Sequence, residues 1–130
     1  MFRILVIDDQ ADVRAMIAIL LRVQRFEVVE ASNAPEALAA FAAASFDLAI
    51  VDIFLDGKNG IDVIMALRAR VPDLPVVAIS GMTARDFLPG SLELADVVCL
   101  QKPFRPNQLA CAIETARASV ARGVAALAAG

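Results

Sequence analysis

A chain of 130 residues, 59% apolar and 21% charged, is long enough for one packed domain and too apolar to be a disordered segment. A net charge of −3, a pI near 4.8 and the lack of any Lys/Arg cluster lead to the expectation of no DNA binding by this chain. The absence of His excludes imidazole-based zinc sites, most acid/base enzymes and a phosphohistidine on this chain, while Cys99 and Cys111 lack metal spacing and read as small apolar fillers.

Short apolar runs alternate with segments of helical period, the pattern of βα units that build a doubly wound parallel sheet. The first strand, Arg3–Ile7, is apolar throughout and stops at Asp8-Asp9; a helix follows over Ala11–Gln24. The second strand, Glu27–Ala31, carries Glu27 and Glu30 and belongs at or near an edge. Ser32 or Asn33 caps the next helix, Pro35–Ala44, which has Pro35 in its first turn and Glu36 near its positive end. The third strand, Asp47–Asp52, ends in an acid, and a helix runs from Gly60 to Arg70. Val71-Pro72-Asp73-Leu74-Pro75 stops it and leads into the fourth strand, Pro75–Ser80, before a helix expected over Thr83–Leu94. The fifth strand, Val97–Gln101, meets Lys102, and the last helix, Arg105–Leu127, turns Leu109, Ile113, Ala116 and Val120 toward the sheet. Residues 1–122 are read as the folded domain and residues 123–130 as an Ala-rich helix end or tail. No apolar run reaches membrane-spanning length and no basic leader precedes the first strand, so a cytoplasmic protein without membrane contact is expected.

In a doubly wound sheet, function gathers at the carboxyl ends of the strands. Here those ends carry Asp8-Asp9, Asp52, Ser80 and Lys102. Each alone has an ordinary alternative as a cap, turn or solvated residue; together they form a constellation. Three clustered carboxylates call for a hard divalent cation, and oxygen ligands with retained water suit Mg²⁺. A carboxylate such as Asp52 can attack phosphorus to give an acyl phosphate, with Lys102 neutralising the phosphoryl oxygens and Ser80 donating a hydrogen bond.

The segments "ILVIDDQADVRAMIAILL", "FDLAIVDIFLDGKNGIDVI", "PVVAISG" and "LQKPF", in that order, resemble the receiver domains of two-component response regulators over essentially the whole chain. The resemblance implies a flavodoxin-like (βα)5 fold with strand order 2-1-3-4-5. It implies that Asp52 is the phosphoacceptor, Ser80 the switch hydroxyl and Lys102 the phosphate-facing lysine. It further implies Mg²⁺ held by Asp9, Asp52 and the Phe54 backbone carbonyl, with Asp8 acting through water. A cis peptide at Lys102-Pro103 belongs to the same pattern. The implied function is a switch in a phosphorelay: phosphorylation at Asp52 rearranges the surface of helix 4, strand 5 and helix 5.

The chain departs from the family pattern at several positions. Cys99 stands where an aromatic residue usually moves with the switch hydroxyl, Asp56 replaces a frequent Pro, and Arg25 replaces a usual Gly and is read as neutral for function. Phe54 and Met82, bulky and apolar beside the site, are expected to shield the acyl phosphate from water. The expected partners are a histidine kinase or histidine phosphotransfer protein and an unidentified target protein; a homodimer is compatible with the sequence. The exposed face of the first helix, with Ala11, Arg14 and Ala15, is the expected docking face for the phosphodonor. A haloacid-dehalogenase-like phosphatase shares the Asp, Mg²⁺, Ser and Lys set, but it needs an acid where Phe54 stands, so no turnover of a separate substrate is expected. A nucleotide-binding module lacks its Gly-rich loop here, because "DDQAD" follows the first strand. A receiver acting by protein contact alone is disfavoured by its complete set of phosphorylation residues.

Overall fold

The computed structural model describes residues 2–55, 58–81 and 96–129, with the side chains of Lys58 and of residues 119–129 not described. Asp56, Met82 and the helix expected over Thr83–Leu94 lie outside the described residues, as does the side chain of Val120. The elements are β1 (Arg3–Ile7), α1 (Ala11–Val23), β2 (Glu27–Ala31), α2 (Ala34–Ala43), β3 (Leu48–Asp52), β4 (Phe54–Leu55), β5 (Lys58–Asn59), α3 (Gly60–Arg70), β6 (Val76–Ser80), β7 (Val98–Gln101) and α4 (Pro106–Ala129). Five strands form one parallel sheet in the order β2-β1-β3-β6-β7. Counting those five alone, this is the expected 2-1-3-4-5, with β2 at an edge. The two-residue strands β4 and β5 form a separate antiparallel hairpin that the sequence pattern does not announce.

The unbroken apolar strands follow from burial on both faces. Leu5, Ile7, Ala49, Val51, Val76 and Ala78 point to one side, against Ala37 and Phe41 of α2 and Ile61, Ile64 and Leu67 of α3. Ile4, Val6, Leu48, Ile50, Val77 and Ile79 point to the other, against Ile17 and Leu21 of α1 and Leu109, Ala112, Ile113 and Ala116 of α4. Each fully buried Ile or Leu contributes about 1.5–3 kcal/mol, so these two layers dominate the fold. The cysteines are not in them: Cys99 and Cys111 are both exposed, which corrects the filler reading. Cys99 precedes buried Leu100 on a strand whose side chains alternate, and Cys111 falls off the helical face that buries Leu109, Ala112 and Ile113.

Glu27 and Glu30 sit on edge strand β2 beside arginines, with Arg3 3.1 Å from Glu27 and with Arg14 and Arg22 at 3.4 and 3.7 Å from Glu30. Arg14 also donates to the Asp8 carbonyl at 2.7 Å. Of the expected docking face, therefore, Ala11 and Ala15 are exposed while Arg14 is turned inward. Arg25 follows α1 with φ of 68°, the left-handed region that favours glycine; a non-Gly residue there costs of order 1 kcal/mol, so its replacement of a usual Gly bears on stability. Toward the other edge of the sheet the Arg68 guanidinium grips Asp96 at 2.7 and 3.0 Å and donates to the Leu74 carbonyl, tying α3 to the approach of β7.

The α2 start is built as its sequence suggests. The Asn33 side chain accepts from Glu36 N–H at 2.9 Å, and the Glu36 carboxylate reaches back to the Ser32 N–H and hydroxyl. Asn33→Ala is expected to lower stability by about 1 kcal/mol in denaturant unfolding. The Ser32 hydroxyl, and then the Ser32 N–H, hold Glu36 below its ordinary range near 4.5. That contribution is complete above 4.5 and is lost as pH falls through the depressed value. Glu36→Gln therefore flattens this part of the acid limb of stability against pH.

Candidate functional site

Parallel register brings the strand ends to one edge. Ile7 pairs with Val51, Asp52 with Ile79, and Ser80 with Gln101, so Asp8-Asp9, Asp52, Ser80 and Lys102 gather at the carboxyl end of the sheet. The strand order reverses between β1 and β3, and the acids of those two strands flank the crevice that results. Asp8, Asp52 and Ser80 are buried, Asp9 is exposed at the mouth, and Lys102 is largely covered.

Each buried carboxylate is divided between two tasks. Asp8 Oδ1 accepts from Gln10 N–H and Asp52 Oδ1 from Phe54 N–H, both at 2.9 Å, so the backbone two residues on fixes each rotamer. The second oxygens face Lys102, whose Nζ lies 2.9 Å from Asp52 Oδ2 and 3.1 Å from Asp8 Oδ2. The Asp52 contact is a hydrogen bond, whereas Asp8 Oδ2 is buried without one, an ion pair lacking hydrogen-bond geometry. Burial, aided by the nearby Asp52 charge, raises the Asp8 pKa against the opposing pull of the Gln10 N–H and Lys102. Burial lowers the Lys102 pKa, but its hydrogen bond to Asp52 and the attraction of the Asp52 and Asp8 carboxylates together outweigh this and raise it. Lys102 thus remains a cation.

One lysine does not balance three acids. Carboxylate oxygens of Asp8, Asp9 and Asp52 all lie within 4.8 Å of one another. An all-oxygen donor set with one buried oxygen lacking a hydrogen bond fits a hard divalent cation.

The main chain holds this edge tightly. Ile53 N–H donates to Ile79 O, Gly60 N–H to Ile53 O at 2.6 Å, and Lys102 N–H to Ser80 O at 2.7 Å. Gly60 opens α3 directly against the backbone of Asp52 and Ile53; a Cβ there would overlap the Asp52 carbonyl and stand 2.8 Å from Ile53 Cα. The Lys102-Pro103 peptide is cis. Phe54 is half exposed on the rim and Cys99 faces outward on β7. Two residues escaped the sequence reading: Gly60, whose need appears only as a close approach, and Gln10, whose side chain accepts from Lys102 at 3.0 Å. The available signal for Gln10 was its place before a helix, where a side chain that caps well would be usual.

The family model of the response regulator receiver domain matches residues 4–114. DNA-binding response regulator MtrA of Mycolicibacterium paratuberculosis is 36% identical over 107 residues, covering 82% of this chain and 47% of MtrA. The chain therefore spans about half the length of that relative. Among solved structures, a response regulator receiver domain protein from Clostridium thermocellum aligns with a TM-score of 0.78 at 28% identity, covering 91% of this chain and 95% of its own. TrrA from Thermotoga maritima, solved with Mg²⁺-BeF, aligns with a TM-score of 0.78 at 26% identity, covering 89% and 99%. The relatives correct the expectation about DNA drawn from charge. MtrA is a DNA-binding response regulator, and the acidity of a segment spanning half of it reports only that segment's own surface. Among the described residues no helix is long and apolar enough to cross a membrane.

Proposed function

Because the chain belongs to the response regulator receiver domain family, whose role is phosphorelay signalling, we propose that it is a Mg²⁺-dependent phosphoacceptor with Asp52 as the acceptor. The observation that carries this reading is the state of Asp52: buried at a strand end, one oxygen held by the Phe54 N–H and the other by the Lys102 ammonium, beside two further acids. Such a carboxylate is fixed in orientation and cannot swing away from an incoming group.

An Asp52 oxygen attacks the phosphorus of a partner's phosphohistidine. The O–P bond forms as the P–N bond breaks, and the electron pair stays on the imidazole nitrogen, which takes a proton from solvent. Lys102 turns from the Asp52 carboxylate to a phosphoryl oxygen, and the Ser80 hydroxyl donates to another. Asp9, Asp52 and the Phe54 carbonyl would hold Mg²⁺, with Asp8 acting through water; when bound, Mg²⁺ neutralises the phosphoryl oxygens and offsets the repulsion among the acids. Phe54 on the rim and Met82 limit access of water to the acyl phosphate, and Cys99 leaves the β7 surface without the family's usual moving aromatic ring. Residues 1–122 form the receiver unit, which acts in the cytoplasm.

The test is incubation with a small phosphodonor, with and without Mg²⁺, followed by intact mass. One base-labile phosphoryl group per chain, appearing only with Mg²⁺, is expected; catalytic turnover of phosphate esters would overturn the reading.

The metal site also sets the sign of a stability effect. Asp8 is a buried acid whose pKa is raised by burial and by the Asp52 charge, so its charged form is penalised when no cation balances it. Asp8→Asn is expected to stabilise the metal-free protein by about 1 kcal/mol. It is also expected to remove most of the rise in Tm that Mg²⁺ gives the wild type. Calorimetric melts with and without Mg²⁺ check both.

A further inference from the structure

Gln10 occupies the N-cap of α1 with an extended backbone (φ −84°, ψ 106°), yet its side chain makes no cap hydrogen bond. That position favours Ser, Thr, Asp or Asn, whose short side chains reach the free N–H groups of the first turn. Gln10 is pinned through its main chain instead: its N–H donates to Asp8 Oδ1 and its carbonyl accepts from Arg14 N–H at 2.9 Å. The side chain is thereby left for another use, and it crosses to a residue 92 positions away, where Oε1 accepts from Lys102 Nζ at 3.0 Å.

An ammonium has three N–H groups and no acceptor. The three oxygens facing Lys102 are Asp52 Oδ2, Asp8 Oδ2 and Gln10 Oε1. Two are charged and belong to the acid cluster; the third is neutral and exposed at the mouth. With the two acids alone, Lys102 is drawn down between them, against the nucleophile. The amide oxygen pulls it outward, to the side from which a phosphoryl group must arrive, and does so without adding negative charge.

We propose that Gln10 is a positioning residue for phosphoryl transfer: its carboxamide oxygen tethers Lys102 at the mouth, so that the ammonium passes from the Asp52 carboxylate to the phosphoryl oxygens without leaving the site. The proposal rests on the phosphoacceptor reading given above. As the Asp52 O–P bond forms, negative charge moves from the carboxylate onto the phosphoryl oxygens, and the ammonium must follow it. A tether on the outer side lets Lys102 pivot instead of detaching.

The test uses the full chain, saturating Mg²⁺ and acetyl phosphate, from which the breaking P–O bond releases acetate with the electron pair. Intact mass against time gives the phosphorylation rate for the wild type, Gln10→Met, Lys102→Ala and the double variant. Gln10→Met keeps the length of the side chain and removes the acceptor. Its rate is expected to fall about tenfold, within the range that loss of a positioned group costs. Its Tm and half-saturating Mg²⁺ stay unchanged, because Gln10 caps nothing and is not among the proposed metal ligands. The double variant is expected to be no slower than Lys102→Ala alone, since both changes break one linkage. A wild-type rate for Gln10→Met, or a further full loss in the double variant, overturns the positioning role while the phosphoacceptor reading stands. A wild type that takes up no phosphoryl group overturns both.

Discussion

Asp52→Asn is expected to take up no phosphoryl group from acetyl phosphate at any Mg²⁺ concentration, while remaining folded. The amide can keep Oδ1 as acceptor for the Phe54 N–H, so the loop after β3 holds its shape. What disappears is the nucleophile, which is also one of the three carboxylates within 4.8 Å of one another and one of the two charged partners of Lys102. An amide oxygen is a far weaker nucleophile than a carboxylate, so the loss is complete on the timescale of the assay. Intact mass before and after mild base decides the matter. A variant that still gains one base-labile phosphoryl group to the wild-type extent would place the acceptor on another residue.

Gly60→Ala is the second large effect. The added methyl would overlap the Asp52 carbonyl and lie 2.8 Å from Ile53 Cα, and these are main-chain atoms that cannot rotate aside. Relief requires α3 to move off the sheet, which disturbs the packing of Ile61, Ile64 and Leu67. The cost is expected near 3 kcal/mol, at the upper end for overpacking, against a total stability of about 5–15 kcal/mol for a domain. Denaturant unfolding measures it. The same displacement pulls on Asp52, so phosphorylation of the folded fraction is expected to slow as well. A change of less than about 0.5 kcal/mol, the ordinary range for a surface substitution, would mean that the close approach is absent.

Legibility from sequence followed the length and regularity of each signal. The central strands β1, β3 and β6 are readable because burial on both faces makes them nearly unbroken apolar runs, the outer strands β2 and β7 because they alternate with helical segments, and Asp8, Asp9, Asp52, Ser80 and Lys102 because they stand at strand ends. The β4–β5 hairpin was not, since two-residue strands have no period. The cysteines were misplaced by reasoning from residue type; the alternation around Leu100 and the helical face around Leu109 and Ile113 would have put both outside. Arg25 departs from the family's usual Gly, and only its φ of 68° shows the cost. The Gln10 tether joins residues far apart in the chain, and no local pattern connects them. Net charge describes a surface and not a function, so it does not decide whether a response regulator binds DNA.

One rung of the main chain carries a wider consequence. The Lys102 N–H bond to Ser80 O extends the β6–β7 ladder past the last strand residue. Such a bond is indifferent to what either side chain is. The spacing between these two backbones therefore survives any replacement of the hydroxyl or the ammonium that leaves the ladder intact. Substitutions at Ser80 and Lys102 exchange reagents at fixed addresses, and their rates can be compared as chemistry on a common scaffold.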